Sequence, residues 1–306
     1  MPARPAPLQL PHSDRAEHSQ LRRATPHGLR SLALALGLAL LGGCGDSKAG
    51  SGLSEVESRA AIDRLVTLFR PVDPVATSDV HDRNFRERSA QLESLHTAGA
   101  TAGREALARF ERAQTEPFDV RWALLEAAAY NAPSETQPTL ERLILVYEGK
   151  GEELRTQAVR IAAETIPQRA IELYEPMLRE PLARQTRPPQ EELVRGWHTA
   201  AKKLGLKEAR VLCDLVVDLR QPPDARYAAV NALADIGGER AIRALREVLV
   251  ESASDGNIRR KSAQALQRIM PRDAFCALMR EASEHEADEV FLLFLADMLD
   301  KNCGAQ

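Results

Sequence analysis

DARYAAVNALADIGGERAIRALREV (residues 224–248) and NIRRKSAQALQRIMPRDAFCALMRE (residues 257–281) are one unit written twice at a constant offset of 33. Arg226 falls on Arg259, Leu233 on Leu266, Ile236 on Ile269, Ala241 on Ala274 and Leu245 on Leu278. Each copy carries an apolar stripe at helical spacing (Ala229, Ala232, Leu233, Ile236), a break at Gly237-Gly238, and a second stripe (Ile242, Leu245, Leu249). That describes a helical hairpin with two apolar faces. A fixed period in this range marks stacked repeats, because one hairpin cannot bury both faces alone.

Working outward, the same start recurs: an acidic or Asn residue, an apolar residue, Arg, then an Ala-rich helix. It is found at Arg121 (FDVRWALLEAA), Arg155 (EELRTQAVRIAA), Arg226 and Arg259, with a looser copy at Arg195 (EELVRGWHTAA). The 40-residue interval between Arg155 and Arg195 contains Pro181, Pro188 and Pro189 and is expected to be loop. Runs such as Ala127-Ala128-Ala129 and Ala162-Ala163 let helices approach closely. Residues 55–80 read as an N-terminal cap helix and loop. Residues 289–301 (EVFLLFLADMLDK) align on a first helix without a second, a terminal half-repeat that would leave Phe291 and Phe294 partly exposed.

This pattern resembles the HEAT repeat in its short, phycobilisome lyase-like form, over roughly residues 85–301. The resemblance implies an all-α solenoid, a HEAT-like superhelix of six to seven hairpins. It also implies that Arg121, Arg155, Arg226 and Arg259 tie neighbouring repeats together, and that second helices line the concave face. Outward second-helix positions there carry mixed charge, including Arg240, Arg243 and Arg272. Mixed charge on a long face suits a protein partner.

At the other end, Arg22, Arg23 and Arg30 precede a run of about a dozen apolar residues from Leu32, too short to span a bilayer, which needs roughly 20. The run ends in Leu41-Gly42-Gly43-Cys44, which resembles the lipobox of bacterial lipoprotein signal peptides. By that resemblance residues 1–43 are removed and Cys44 becomes a lipid-modified N-terminus. Residues 44–54 would be a flexible tether and residues 55–306 the solenoid. Gly45 after the cysteine implies the outer membrane, facing the periplasm, in a two-membrane cell. Removing residues 1–43 takes five of 41 basic and two of 44 acidic residues and leaves a net charge of −6. Nucleic-acid surfaces are basic, so no nucleic-acid partner is expected.

Chemistry is sparse. The sequence has no glycine-rich phosphate loop, GxSxG elbow or CxxC pair, so no cofactor, metal or catalytic residue is assigned. After cleavage four His remain (His81, His96, His198, His285), none at ligand spacing on one helix. HEAT-like deoxyhypusine hydroxylases hold iron through several His-Glu pairs from different repeats. The single pair here, His285-Glu286, reads as a solvated loop pair. Cys213 and Cys276 stand two repeats apart, too far to bond. A Cys276–Cys303 bond stays open, and packed thiols are the favoured reading. Trp122 and Trp197 read as packing between repeats. The sequence thus points to a non-catalytic interaction scaffold; the alternative is a lyase-like HEAT protein handling a cofactor or small ligand.

Overall fold

The structure, a computed structural model, describes residues 52–70, 78–146, 152–179, 189–251 and 253–304, with backbone alone for 78–83 and 85. The lipobox (Leu41, Gly42, Gly43, Cys44) and all of residues 1–43 lie outside the described residues. Those described form fourteen helices and no strand. After α1 (Glu55–Phe69) come six hairpins: α2/α3 (Ser78–Leu95, Ala100–Arg112), α4/α5 (Phe118–Asn131, Pro133–Leu145) and α6/α7 (Glu152–Thr165, Pro167–Arg179), then α8/α9 (Gln190–Leu204, Arg210–Val217), α10/α11 (Pro223–Ile236, Gly238–Val250) and α12/α13 (Arg272–Glu284 for the latter, Gly256–Ile269 for the former). Helix α14 (Glu289–Cys303) ends the described stack.

Local chemistry sets these boundaries. Ser54 and Glu57 form a reciprocal capping box at α1, with the Ser54 N–H donating to the Glu57 carboxylate at 2.9 Å. Asp255 and Asp288 accept the first free N–H groups of α12 and α14. The turn between α10 and α11 needs positive φ at Gly237 (70°) and Gly238 (87°), which glycine alone adopts without strain.

First helices pack in series, α4 on α6, α6 on α8, α8 on α10 and α10 on α12, while each second helix packs on the first helix that follows. Alanine makes the first series close: Ala123, Ala128, Ala162, Ala200, Ala229 and Ala263 are fully buried. Gly196 is a further close approach, since a Cβ there would lie 2.8 Å from Val159 and 3.0 Å from the Tyr174 ring. Leu233 and Leu266, the paired leucines of the repeat, are both wholly buried.

The repeated arginines have a common role. Arg155 Nε donates to Ile144 O at 3.1 Å, Arg226 Nε to Val216 O at 2.8 Å, and Arg259 Nε to Leu249 O at 2.9 Å. Each acceptor is a last-turn carbonyl of the preceding second helix, which has no partner within its own helix. A cation there also meets the negative end of the helix dipole. All three arginines are 4% exposed. Arg121 differs: it lies over the Phe110 ring at 5.5 Å and donates to Gln114 at 3.3 Å.

Several expectations are corrected. Arg195 is not a fifth copy; it is exposed and pairs with Glu191 and Glu192 on its own helix, and the buried pair at that level is Leu193-Val194. The tether stops short of residue 54, because Leu53 N–H donates to Ala98 O at 3.0 Å and Ser54 caps α1. The first hairpin starts at Ser78 instead of Phe85. Cys276 and Cys303 are bonded, with Cα atoms 5.8 Å apart, whereas Cys213 is a free buried thiol. α13 and α14 pack antiparallel, so the start of one lies beside the end of the other, a proximity that helical periodicity alone does not reveal.

Candidate functional surface

Charges on the two helix layers are largely paired between repeats. Along the first helices Arg160 meets Glu126 (2.5 Å), Lys203 meets Glu164 (2.7 Å) and Arg268 meets Asp235 (2.8 Å). Along the second helices Arg142 meets Glu111 (2.8 Å), Arg169 meets Glu141 (2.7 Å) and Arg246 meets Glu281 (3.6 Å). Arg169 holds the Glu141 carboxyl below its ordinary value through their hydrogen bond. Exposed pairs of this kind contribute about 0–1 kcal/mol each. Their larger consequence is that a charge already matched within the chain is not available to a partner.

Two places carry several such unmatched groups side by side. On the second-helix layer Arg240 and Arg243 of α11 make no ion pair among the described residues; Arg243 is exposed and Arg240 partly so. Both stand near Cys213, where burial pushes the thiol up to about 11 against their opposing pull. On the first-helix layer two concavities of about 560 and 310 Å³ meet at Asp224 and Tyr227. The larger runs between α10 and α12 past Asp255, Arg260, Lys261 and Gln264; the smaller reaches α8 at Arg195 and His198. Tyr227 stands between them, 40% exposed, with Lys261 Nζ 5.4 Å from its ring centre. The groove therefore offers an aromatic face, amide groups at Asn231 and Gln264, and both signs of charge.

Other sequence candidates are placed differently. Arg272 is exposed but occupied: its Nε donates to Asn302 O at 2.7 Å and its Nη2 to Gly304 O at 3.3 Å, fastening the end of α14. Phe291 is 2% exposed, correcting its reading as an open aromatic, because it occupies the inward position held by Ile258 one repeat earlier. The Arg259 guanidinium covers its ring at 3.8 Å. Phe294 is partly buried and stacks on Phe291 at 5.6 Å. Nor is Glu286 solvated: its side chain is 6% exposed and paired with Arg259. Burial pushes its carboxyl up, but Arg259 and the Asp288 N–H outweigh this and hold it below its ordinary value. Trp197 is buried in the core.

One cluster escaped the sequence reading. Glu126, 5% exposed, accepts from Trp122 Nε1 at 2.8 Å and pairs with Arg160, while His96 Nε2 lies 3.3 Å away. His96 stacks on Tyr130 at 3.7 Å, and burial, then Glu164 and Glu126, push that phenol up. The signal was present as the one charge between Trp122 and Tyr130 in an otherwise apolar helix. The cluster joins the end of α2 to α4 and α6, and His96 Nε2, though 3.3 Å from Glu126, makes no hydrogen bond there. Among the described residues no three His, Cys, Asp or Glu converge as metal ligands.

This arrangement defines an α-solenoid of stacked helical hairpins. Residues 209–292, from α9 into α14, match the model of HEAT repeats, and helical hairpins continue toward the N-terminus among the described residues. Among solved structures, human deoxyhypusine hydroxylase in complex with glycerol is similar at 16% identity, over 82% of this chain and 98% of that one, with a TM-score of 0.33. The complex of CpcE and CpcF of phycocyanin lyase from Nostoc sp. PCC7120 is similar at 14% identity, over 84% and 97%, with a TM-score of 0.38. No curated protein matches the sequence.

Proposed function

We propose that the chain is a non-catalytic protein-interaction scaffold, held by lipid at Cys44 on an envelope membrane of a bacterium, on its periplasmic side and in its outer membrane. The observation that carries the scaffold reading is the Tyr227 groove: a concave strip across α8, α10 and α12 that presents a 40% exposed aromatic ring, amide groups and both signs of charge. Arg240 and Arg243 supply a second contact surface on the other layer. Export is supported by the Leu41-Gly42-Gly43-Cys44 motif and by the Cys276–Cys303 bond, since disulfides persist in oxidising compartments such as the periplasm. No described helix is long and apolar enough to cross a membrane, so the proposed hold on the bilayer is the acyl group.

The test is a photo-cross-linking residue placed at Tyr227, and separately at Arg243, in the full chain in growing cells. A shared protein adduct from one or both positions is expected. Reversing Arg240 and Arg243 to Glu should weaken that association, with an effect that shrinks at high salt while helicity is unchanged. Absence of any protein adduct at both positions would refute the scaffold reading. Cys44→Ser should release the chain from membranes or leave the precursor unprocessed; unchanged membrane retention of a processed chain would refute the anchor.

A second reading, a lyase-like HEAT protein that handles a cofactor or small ligand, is favoured by the 560 Å³ cavity, which falls in the size range of ligand pockets. Such pockets are mainly apolar, whereas this one is lined by Asp224, Asp255, Arg260 and Lys261. The scaffold reading therefore comes first.

A further inference from the structure

Residues 202–208 (KKLGLKE), at the junction of α8 and α9, are exposed in unbroken succession. Their shape is set locally: the Gly205 N–H donates to Lys202 O at 3.2 Å and the Leu206 N–H to Ala201 O at 2.9 Å, the two bonds that close a helix through a left-handed glycine. Leu204 and Leu206 flank that glycine, 36% and 38% exposed, and a Cβ added to it would meet nothing within 4 Å. Lysine is scarce in this chain, yet three of its seven, Lys202, Lys203 and Lys207, fall here. Lys203 pairs with Glu164 at 2.7 Å and Glu208 with Arg210 at 3.9 Å. Lys202 and Lys207 make no ion pair among the described residues, so the tip presents two leucines and two unmatched cations.

The tip lies on the edge of the stack where first helices end and second helices begin, and the described chain enters on that same edge. The Leu53 N–H donates to Ala98 O at the α2/α3 turn, and the Gly99 N–H of that turn donates to Asn131 Oδ1 at the end of α4 (2.8 Å). Lys203 joins the end of α8 to Glu164 at the end of α6, and a Cβ added at Gly238 of the α10/α11 turn would lie 3.8 Å from Lys207 O. Acids on this edge are largely matched: Glu135 by Arg104, Glu164 by Lys203 and Asp235 by Arg268, while Glu239 has the unmatched Arg240 beside it. The opposite edge also exposes apolar groups, Leu219 and Val250, but it is acidic. Glu152, Glu153, Asp224, Glu251, Asp255 and Asp288 are exposed there, and none is in an ion pair among the described residues. An anionic surface is therefore drawn to the tip and repelled from the far edge.

We propose that the 202–207 tip docks on the surface of an anionic phospholipid bilayer, with Leu204 and Leu206 entering the interface and Lys202 and Lys207 meeting headgroup phosphates. This rests on the membrane placement given under the proposed function and adds an orientation to it. The leucines leave water while the lysine stems lie along the boundary with their charges outward. Each lysine strengthens binding to an anionic leaflet about fivefold, too little to hold the chain alone. Stable attachment takes two signals, such as one acyl group and a basic patch, and Cys44 with the tip would supply both. The geometry admits both at once. The eight residues from Cys44 to Gly52 reach at most about 28 Å, and three interhelix steps, about 24–30 Å, separate the α2/α3 turn from the tip. With tether and tip on one edge, that edge lies along the bilayer. The Tyr227 groove, toward the starts of α10 and α12, is then held away from it and open to a partner.

The test places an environment-sensitive fluorophore on the full chain at Leu206→Cys and, separately, at Val250→Cys on the opposite edge. Cys213 is buried and Cys276 is bonded to Cys303, so these thiols do not compete for the label. The chains are bound to vesicles of equal parts phosphatidylcholine and phosphatidylglycerol, or of phosphatidylcholine alone. On the anionic vesicles the probe at 206 should shift to the blue and be quenched by spin-labelled lipid several-fold more than the probe at 250. On phosphatidylcholine alone that difference should collapse. Lys202→Glu with Lys207→Glu should abolish the quenching at 206, and because both lysines are exposed, circular dichroism should be unchanged. Equal quenching at 206 and 250 would overturn the proposal, as would quenching at 206 that ignores lipid charge or the lysine reversal. A photo-cross-linking residue at Leu204 in growing cells should give phospholipid adducts; a protein adduct in their place would also overturn it. The same measurements on Cys44→Ser chains, whose total binding should be weaker but whose pattern should be the same, separate the tip from the anchor. Acylation of Cys44 is read from the mass of the N-terminal peptide and the Tyr227 adducts report another surface, so each reading can fail without the others.

Discussion

Replacing Arg259 with Met keeps much of the side-chain length and apolar stem while removing its charge and donors, which isolates what the guanidinium contributes. Three contacts go at once: the bond to Leu249 O at 2.9 Å, the ion pair with Glu286, and the stacking on Phe291. The ion pair dominates. Its members are 4% and 6% exposed, and removing one partner of a buried pair costs about 3–5 kcal/mol because the other charge is left stranded. The orphaned carbonyl contributes a further penalty of about 1–3 kcal/mol, and relaxation keeps the sum below simple addition, so about 4–5 kcal/mol is expected. Arg226→Met is the control, since its partners Val216 O and Ser254 Oγ are neutral, and about 2–3 kcal/mol is expected. Arg259→Met combined with Glu286→Leu removes both charges and should recover at least half of the loss. Urea denaturation followed by circular dichroism measures the totals. Hydrogen exchange should show the deficit in α12–α14 and little change in α4–α6, because repeats couple chiefly to their neighbours. Equal costs for Arg259→Met and the double variant, or a larger cost for Arg226→Met, would refute the assignment of the buried pair as the dominant interaction.

Leu233→Ala and Leu266→Ala should each cost about 2–5 kcal/mol, as fully buried large-to-small changes do, and unchanged urea midpoints would contradict their place in the core. Cys303→Ser opens a loop spanning 27 residues and should cost about 3–4 kcal/mol; reduction of the parent by a dithiol should lower its melting temperature similarly. Glu286 is held below its ordinary 4.5, so the stability it confers is full above that value and is lost as pH falls through its lower, folded value. Glu286→Gln should flatten the melting temperature between pH 5 and about 3 relative to the parent, and parallel acid profiles would show that Glu286 does not set it.

Periodicity is a statement about which face of a helix is apolar, and wherever the fold depends on that alone the sequence reading holds. The 33-residue repeat locates α10–α13, the aligned leucines are buried, and Arg155, Arg226 and Arg259, though not Arg121, each donate to a carbonyl of the preceding second helix. It fails where two contacts of different kinds compete at one position. Arg195 has an acidic neighbour like the others, yet the slot is apolar, because the pair buried there is Leu193-Val194. Phe291 looked exposed because no second helix follows it, but its first-turn position faces inward onto Arg259. Glu126 was hidden for the opposite reason: a charge in an Ala-rich helix finds its partners, His96 and Arg160, about thirty residues away in either direction. The groove around Tyr227 was not legible, since it depends on the spacing of three helices instead of on any motif.

The short helix α9 explains why unmatched charge appears on the second-helix layer where it does. Its neighbours α7, α11 and α13 each have 13 residues, whereas α9 has eight, starting at Arg210. Displaced by one repeat, the first residue of α11, Gly238, corresponds to about residue 205, so the segment 205–209 replaces what would be the first turn or more of α9. In α7 the third residue, Arg169, finds Glu141 on the helix before it. In α11 the third residue, Arg240, makes no ion pair among the described residues; the start of its helix lies beside that non-helical segment, where Gly205 takes a φ of 67° and Leu206 is exposed. No acidic side chain is held there at ion-pair distance, although Glu208 and Asp214 lie close enough to influence Cys213. The gap in charge pairing thus coincides with the shortened helix. Leu206→Glu, which leaves the left-handed turn at Gly205 intact, would supply an acidic group in the segment beside the start of α11. If Arg240 and Arg243 serve a partner, this repair should stabilise the chain and weaken the association at once, two effects that simple damage to the fold could not produce together.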